Sequence, residues 1–170
     1  MPATAVLLAL LTLAPAEPVT DQDFERRSRD AVVDLHEFFE DWFNARVPKT
    51  RESTARFSDV LAEDFEYVGH AGYKLTKAEL FDDGIWPPYG VWAGEGHLGG
   101  ETRIEKVRFR RLSPETALLT WEYWQDEHTS DGVRSRGRLD TGILRLDDSK
   151  PHGVVWLHVH ETRLPEDATP

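Results

Sequence analysis

From Glu101 to Leu164 the sequence reads as one strand after another with no helix between them, and this one-way order restricts the fold more than any single motif. Glu101 to Leu112, Thr116 to Gln125, Gly137 to Leu146 and Val154 to Leu164 are the strand segments. Turn residues separate them: Ser113-Pro114, Ser130-Asp131-Gly132 and the stretch from Asp147 to Gly153. Helical periodicity lies earlier. Phe24, Ala31, Leu35, Phe38 and Trp42 recur at steps of three, four or seven, with Phe39 beside them. That pattern predicts a helix with one buried face, capped by Thr20 or Asp21, running to about Arg46 and stopped by Pro48. A shorter helix is expected from Ser53 or Thr54 to Leu61. A strand follows at Phe65 to Val68, turning at His70-Ala71-Gly72. Thr76 followed by Glu79 is a capping box that opens a third short helix through Phe81. With no βαβ alternation the fold class is α+β, three N-terminal helices packed on an antiparallel sheet.

The chain has 170 residues, enough for one domain with a sizeable core, here placed at residues 20–164. Lys and Arg number 20 against 31 Asp and Glu, a net charge of -11. A phosphate backbone would be repelled, so nucleic acid is not an expected partner, and stable membrane insertion is not expected either. The absence of cysteine removes disulfides, thiolate nucleophiles and Cys-ligated zinc. Residues 1–16 are uncharged and Leu-rich and end in Ala14-Pro15-Ala16, like the apolar region and cleavage site of a signal peptide. They point to an exported or periplasmic protein. The lack of a basic residue before the apolar run points the other way, to a cytoplasmic chain with an apolar docking segment. Residues 165–170 are expected to be a disordered tail.

Two stretches carry a family likeness. Val60 to Val68, a Gly turn and Leu75 to Phe81 resemble the front half of the SnoaL-like branch of the nuclear-transport-factor-2-like superfamily. The closing strand, Trp156-Leu157-His158-Val159-His160-Glu161-Thr162-Arg163, resembles the last strand of that group. It is also similar to the hub (association) domain of calcium/calmodulin-dependent protein kinase II. The resemblance covers about residues 22–164. It implies a cone, with helices in the concave side of a strongly curved sheet and a ligand pocket at the open end. The superfamily holds isomerases, cyclases, dehydratases, dimerisation modules and ligand binders, so the fold alone does not name a function.

The candidate site residues follow from strand alternation. On the last strand Trp156, His158, His160 and Thr162 share one face, and Leu157, Val159, Glu161 and Arg163 the other. The second face is taken as the pocket wall, because the resemblance puts the hub's pocket Arg of this strand on Arg163. The hub's other pocket Arg positions fall on Glu122 and Gly142. Trp42, Tyr67, Trp86 and Trp92 complete the expected pocket, the last two from the irregular loop Ile85 to Gly100. His158 and His160 are the alternative face. Two His at this spacing could share a metal only with a third ligand, which the sequence does not place, so no metal and no cofactor is expected. Glu122 and Asp140, carboxylates among apolar residues, are either a general acid and base or ion pairs of Arg103, Arg138 or Arg163. His36-Glu37 lacks the second His of a zincin and reads as a solvated helix face. Two functions stand. One is a small-molecule-binding domain, an isomerase, cyclase or dehydratase working by acid/base chemistry on a hydrophobic or mixed-polarity ligand. The other is a non-catalytic binding or interaction module. Apolar groups on both faces of Leu118 to Trp124 and Trp156 to Thr162 point to a homodimer.

Overall fold

The computed structural model describes residues 18–48, 50, 52–81, 101–129 and 132–165. Residues 1–16, the tail beyond Pro165, and Trp86 and Trp92 with their loop lie outside these. The elements in chain order are α1 (Asp21–Phe43), α2 (Ala55–Ser58), β1 (Leu61–Val68), β2 (Lys74–Thr76), α3 (Lys77–Phe81), β3 (Thr102–Arg111), β4 (Thr116–Thr129), β5 (Gly132–Leu146) and β6 (Val154–Arg163). They make one mixed α+β fold with a six-stranded sheet in the order β2-β1-β6-β5-β4-β3. Among the described residues no helix is long and apolar enough to cross a membrane.

Two expectations about the sheet are corrected. It is not wholly antiparallel: β1 pairs in parallel with β6, joining the first strand in sequence to the last. The helices do not all precede it, because β1 and β2 stand between α2 and α3. Val60 and Leu61, assigned above to the second helix, instead lead into β1, where Leu61 pairs with Trp156. A parallel partner so distant in sequence leaves no trace in local periodicity.

Helix α1 lies against the sheet and buries Phe24, Ala31, Val32, Leu35, Phe38 and Trp42. Thr20 caps it, its hydroxyl accepting from the Asp23 N–H at 3.1 Å. The helix ends at Phe43, three residues before the expected Arg46. The Arg46 N–H donates to the Asp41 carbonyl at 2.8 Å and the Ala45 N–H to Trp42 at 3.2 Å. This is a Schellman closure with Ala45 in the left-handed position, φ 54°. Glu40 ties the helix to β3: its carboxylate accepts from the Thr102 hydroxyl at 2.7 Å and N–H at 3.0 Å. The capping box of α3 forms as read, Thr76 N–H donating to the Glu79 carboxylate at 2.8 Å.

Besides a register shift of β1 against β6 between Leu61 and Glu66, two bulges break the sheet's alternation among the described residues. One lies on β3, where Glu105 pairs with Glu122 but Arg108 pairs with Thr120 and Lys106 takes φ 52°. The other lies on β6: Ile143 pairs with His158 and Leu144 with Trp156, leaving Leu157 as the extra residue.

Two outcomes are expected. Ala45→Gly removes a left-handed β-carbon and raises stability by about 0.5–1 kcal/mol in denaturant titration. The Thr102 hydroxyl holds the Glu40 carboxyl below its ordinary value of 4.5. The resulting stabilisation is complete above that value and is lost as pH falls through the depressed one. Glu40→Gln therefore costs about 1–2 kcal/mol at neutral pH, and less as the solution is acidified below pH 4 or so.

Candidate functional site

A cavity of about 370 Å³ lies between α1, α3 and the α1-facing side of the sheet. Its closed end is apolar. Leu61, Phe65, Trp121 and Trp156, each no more than 2% exposed, line it together with Leu35 and Trp42. Its open end is marked by the exposed lining residues, which include Tyr73, Arg134, Arg136 and Arg163.

The bulge at Leu157 decides which side chains of β6 reach this cavity. Without it Trp156 would face the same way as His158. With it, Trp156 and Val159 both line the cavity, followed by Glu161 and Arg163, while Leu157 drops out of the lining. The placement of Trp156 and Leu157 read from strict alternation is thus corrected by one inserted residue. His160 is exposed, and His158 is half-buried with its Nδ1 4.0 Å from Glu66. Among the described residues no group of three or more His, Asp or Glu could hold a metal ion.

Register across β4, β5 and β6 sets the polar centre. Asp140 stands between Trp121 and Glu161, and Arg138 between Tyr123 and Arg163. Asp140 is 2% and Glu161 8% exposed, so two carboxylates face each other in a buried row. Facing like charges repel. Arg138 offsets this: its Nη1 is 3.2 Å from Glu161 Oε1 and its Nε 4.0 Å from Asp140 Oδ1. Its guanidinium also lies 4.4 Å above the Tyr123 ring. Burial alone would favour the uncharged arginine, but Glu161 and Asp140 outweigh it and hold Arg138 charged. Glu161 also meets His70 Nδ1 at 3.5 Å, and Arg163 donates to His70 Nε2 at 3.1 Å. Tyr67 borders the same carboxylate; burial first, and then the Glu161 charge, push its phenol well above the usual range.

Glu122 is not part of this centre, which corrects its pairing with Asp140. It is among the residues of β4 that point away from the cavity, and its carboxylate receives Lys106 Nζ at 2.9 and 3.0 Å. That hydrogen bond holds Glu122 below the ordinary carboxyl range, the opposite of a desolvated base. His36, read above as solvated, is also corrected. It is 6% exposed, lines the cavity, and its Nε2 accepts from the Trp121 indole at 3.0 Å. An indole N–H only donates, so the His36 proton is assigned to Nδ1. Asp140 Oδ2 lies 3.9 Å from the same Nε2. His36 Nδ1, the Tyr123 hydroxyl and Asp140 Oδ1 are closed off from solvent and have no hydrogen-bond partner among the described residues. Each such group costs about 1–3 kcal/mol, and native proteins concentrate them at functional sites.

Comparison with solved structures settles the fold. An NTF-2-like protein of unknown function from Pseudomonas aeruginosa superposes with a TM-score of 0.61 at 21% identity, covering 84% of this chain and 99% of that one. The fold is NTF2-like. The CaMKII hub of S. rosetta gives 0.58 at 12% identity over 89% of this chain and 100% of the hub. Hexachlorocyclohexane dehydrochlorinase LinA-type3 from Novosphingobium barchaimii gives 0.55 at 14% identity over 86% and 92%. NTF2-like neighbours thus include an enzyme and a hub domain, and the fold leaves the activity open. The sequence matches no protein-family model and no curated protein.

Arg138 is the cation that lets Asp140 and Glu161 face each other. Arg138→Met is expected to lose about 3–5 kcal/mol of stability at neutral pH. Denaturant titrations of the parent protein and the variant at pH 7 measure the loss.

Proposed function

We propose that the domain is a cone whose cavity binds a small molecule of mixed polarity, its apolar body at the ring-lined end and its polar group at the Arg138 row. The observation that carries this reading is the division of one cavity into an apolar closed end and a charged open side. A cavity of about 370 Å³ within a well-packed domain is far larger than a packing defect, and pockets of this size and lining are where proteins hold small ligands. The function is that of a SnoaL-like ligand-binding protein, acting as a homodimer. The exposed Leu139, opposite Glu122 on the side of the sheet away from the cavity, favours a partner subunit there. The uncharged Leu-rich residues 1–16 favour export.

One observation favours a catalytic version. A catalytic cavity keeps a buried titratable group without a hydrogen-bond partner, and Asp140 Oδ1 is such a group. Asp140 would then act as a general base in isomerase, cyclase or dehydratase chemistry.

The neutral fluorophore N-phenyl-1-naphthylamine tests the binding reading. It is expected to bind saturably, one per chain, with enhanced emission. Val159→Trp, which places an indole in the cavity, should abolish that binding while the far-ultraviolet dichroism is unchanged. Absence of saturable binding, or binding untouched by Val159→Trp, contradicts the reading.

A further inference from the structure

The side of the sheet away from the cavity is ordered in rows. Ala117, Leu119 and Trp121 of β4 pack in the core with α1, so Leu118 and Thr120 between them point the other way. Register sets Arg110, Leu118, Ile143 and His158 side by side across β3, β4, β5 and β6. The next row is Arg108, Thr120, Thr141 and His160. Each row has a guanidinium at one end, an imidazole at the other and uncharged side chains between. Arg108 and Arg110 are exposed and make no hydrogen bond or ion pair among the described residues.

The charges around the imidazoles are few. His158 faces Glu66 of β1, its Nδ1 4.0 Å from a carboxylate that Lys74 of β2 already holds at 3.3 Å. His160 lies between Val68 of β1 and Thr141 of β5, neither of them charged. Burial lowers the His158 pKa below its ordinary value, helped by His160 and Lys74 and opposed by Glu66. A neutral imidazole keeps one acceptor nitrogen for an arginine N–H, whereas a protonated one has none and carries a like charge.

A two-fold partner must match a patch to itself. An axis along the strands, between β4 and β5, keeps each row in place and reverses it, so β3 of one copy lies over β6 of the other. Leu118 then meets the partner's Ile143, Thr120 meets the partner's Thr141, and each arginine meets an imidazole. An axis across the strands would set the arginine ends over one another, where they repel.

We infer that a second copy of this chain covers this face about the axis along the strands, with Arg110 and Arg108 donating to the partner's His158 and the partner's His160, and that the pairing holds only while these imidazoles are neutral. This rests on the homodimer reading above and adds its geometry and its pH dependence. The subunits bind protons more tightly apart than together, so association is complete above the histidine range and is lost as pH falls through it.

Sedimentation velocity of the full chain at about pH 8 and about pH 5.5 tests this, with far-ultraviolet dichroism checking the fold at both. A dimer is expected at the higher pH, with a dissociation constant at least about tenfold larger at the lower. His158→Gln with His160→Gln keeps an acceptor that does not titrate, so its dimer should be unchanged between the two. Arg108→Glu with Arg110→Glu should reverse the response, giving a dimer tighter at the lower pH, where glutamate faces imidazolium. A parent chain that is monomeric at the higher pH overturns the homodimer reading and this inference together. A dimer equally tight at both, or a histidine variant that still dissociates in acid, overturns the histidine control and leaves the homodimer standing. A pH-sensitive dimer whose response the arginine variant does not reverse overturns the pairing.

Discussion

The interaction on which the site depends is the one between Arg138 and the two carboxylates it reaches, Asp140 and Glu161. The β5–β6 register sets those carboxylates opposite each other, and both are more than nine-tenths buried. Two facing anions in such a place would repel each other and push the strands apart. A guanidinium two residues along β5, on the same side of the sheet, is in position to serve both. The same register then carries Tyr123 beneath Arg138 and Arg163 beside it. The polar side of the cavity is therefore one connected arrangement, assembled by strand pairing and closed by a single cation.

The apolar end depends on backbone devices instead. Trp121 and Trp156 meet edge to face at 5.8 Å, and both rings pass over Gly142. A β-carbon at Gly142 would come within 2.9 Å of Trp156 and 3.1 Å of Trp121, tighter than rigid rings tolerate. Trp156 reaches that place only because Leu157 is an extra residue in β6. The bulge turns one large ring inward without disturbing Val159, Glu161 and Arg163 beyond it, so one inserted residue supplies the wall while alternation supplies the polar groups.

Much of this was legible in the residues and some was not, for reasons that can be named. The stripe of α1 and the Thr76–Glu79 box depend on neighbours within four positions, and both were readable. His36 was also within reach: Val32, His36, Phe39 and Phe43 step by four, three and four, a second row beside the main stripe. The alternation of Arg134, Arg136 and Arg138 is equally local, but it carries no apolar run, so hydrophobic patterning starts β5 at Gly137 where the strand begins at Gly132. By contrast, the parallel pairing of β1 with β6 and the bulge at Leu157 depend on partners far away in sequence. Glu122 was misplaced for the same kind of reason: its partner Lys106 sits at a bulge of β3 whose left-handed residue is neither Gly nor Asn.

The most direct test of the account is the stability of the triple variant Arg138→Met, Asp140→Asn, Glu161→Gln, measured beside Arg138→Met alone. If Arg138 acts by neutralising two facing carboxylates, removing all three charges together restores stability to within about 1 kcal/mol of the parent protein. A triple variant no more stable than Arg138→Met would mean that the arginine holds the sheet by packing, and the electrostatic account of the site would be wrong.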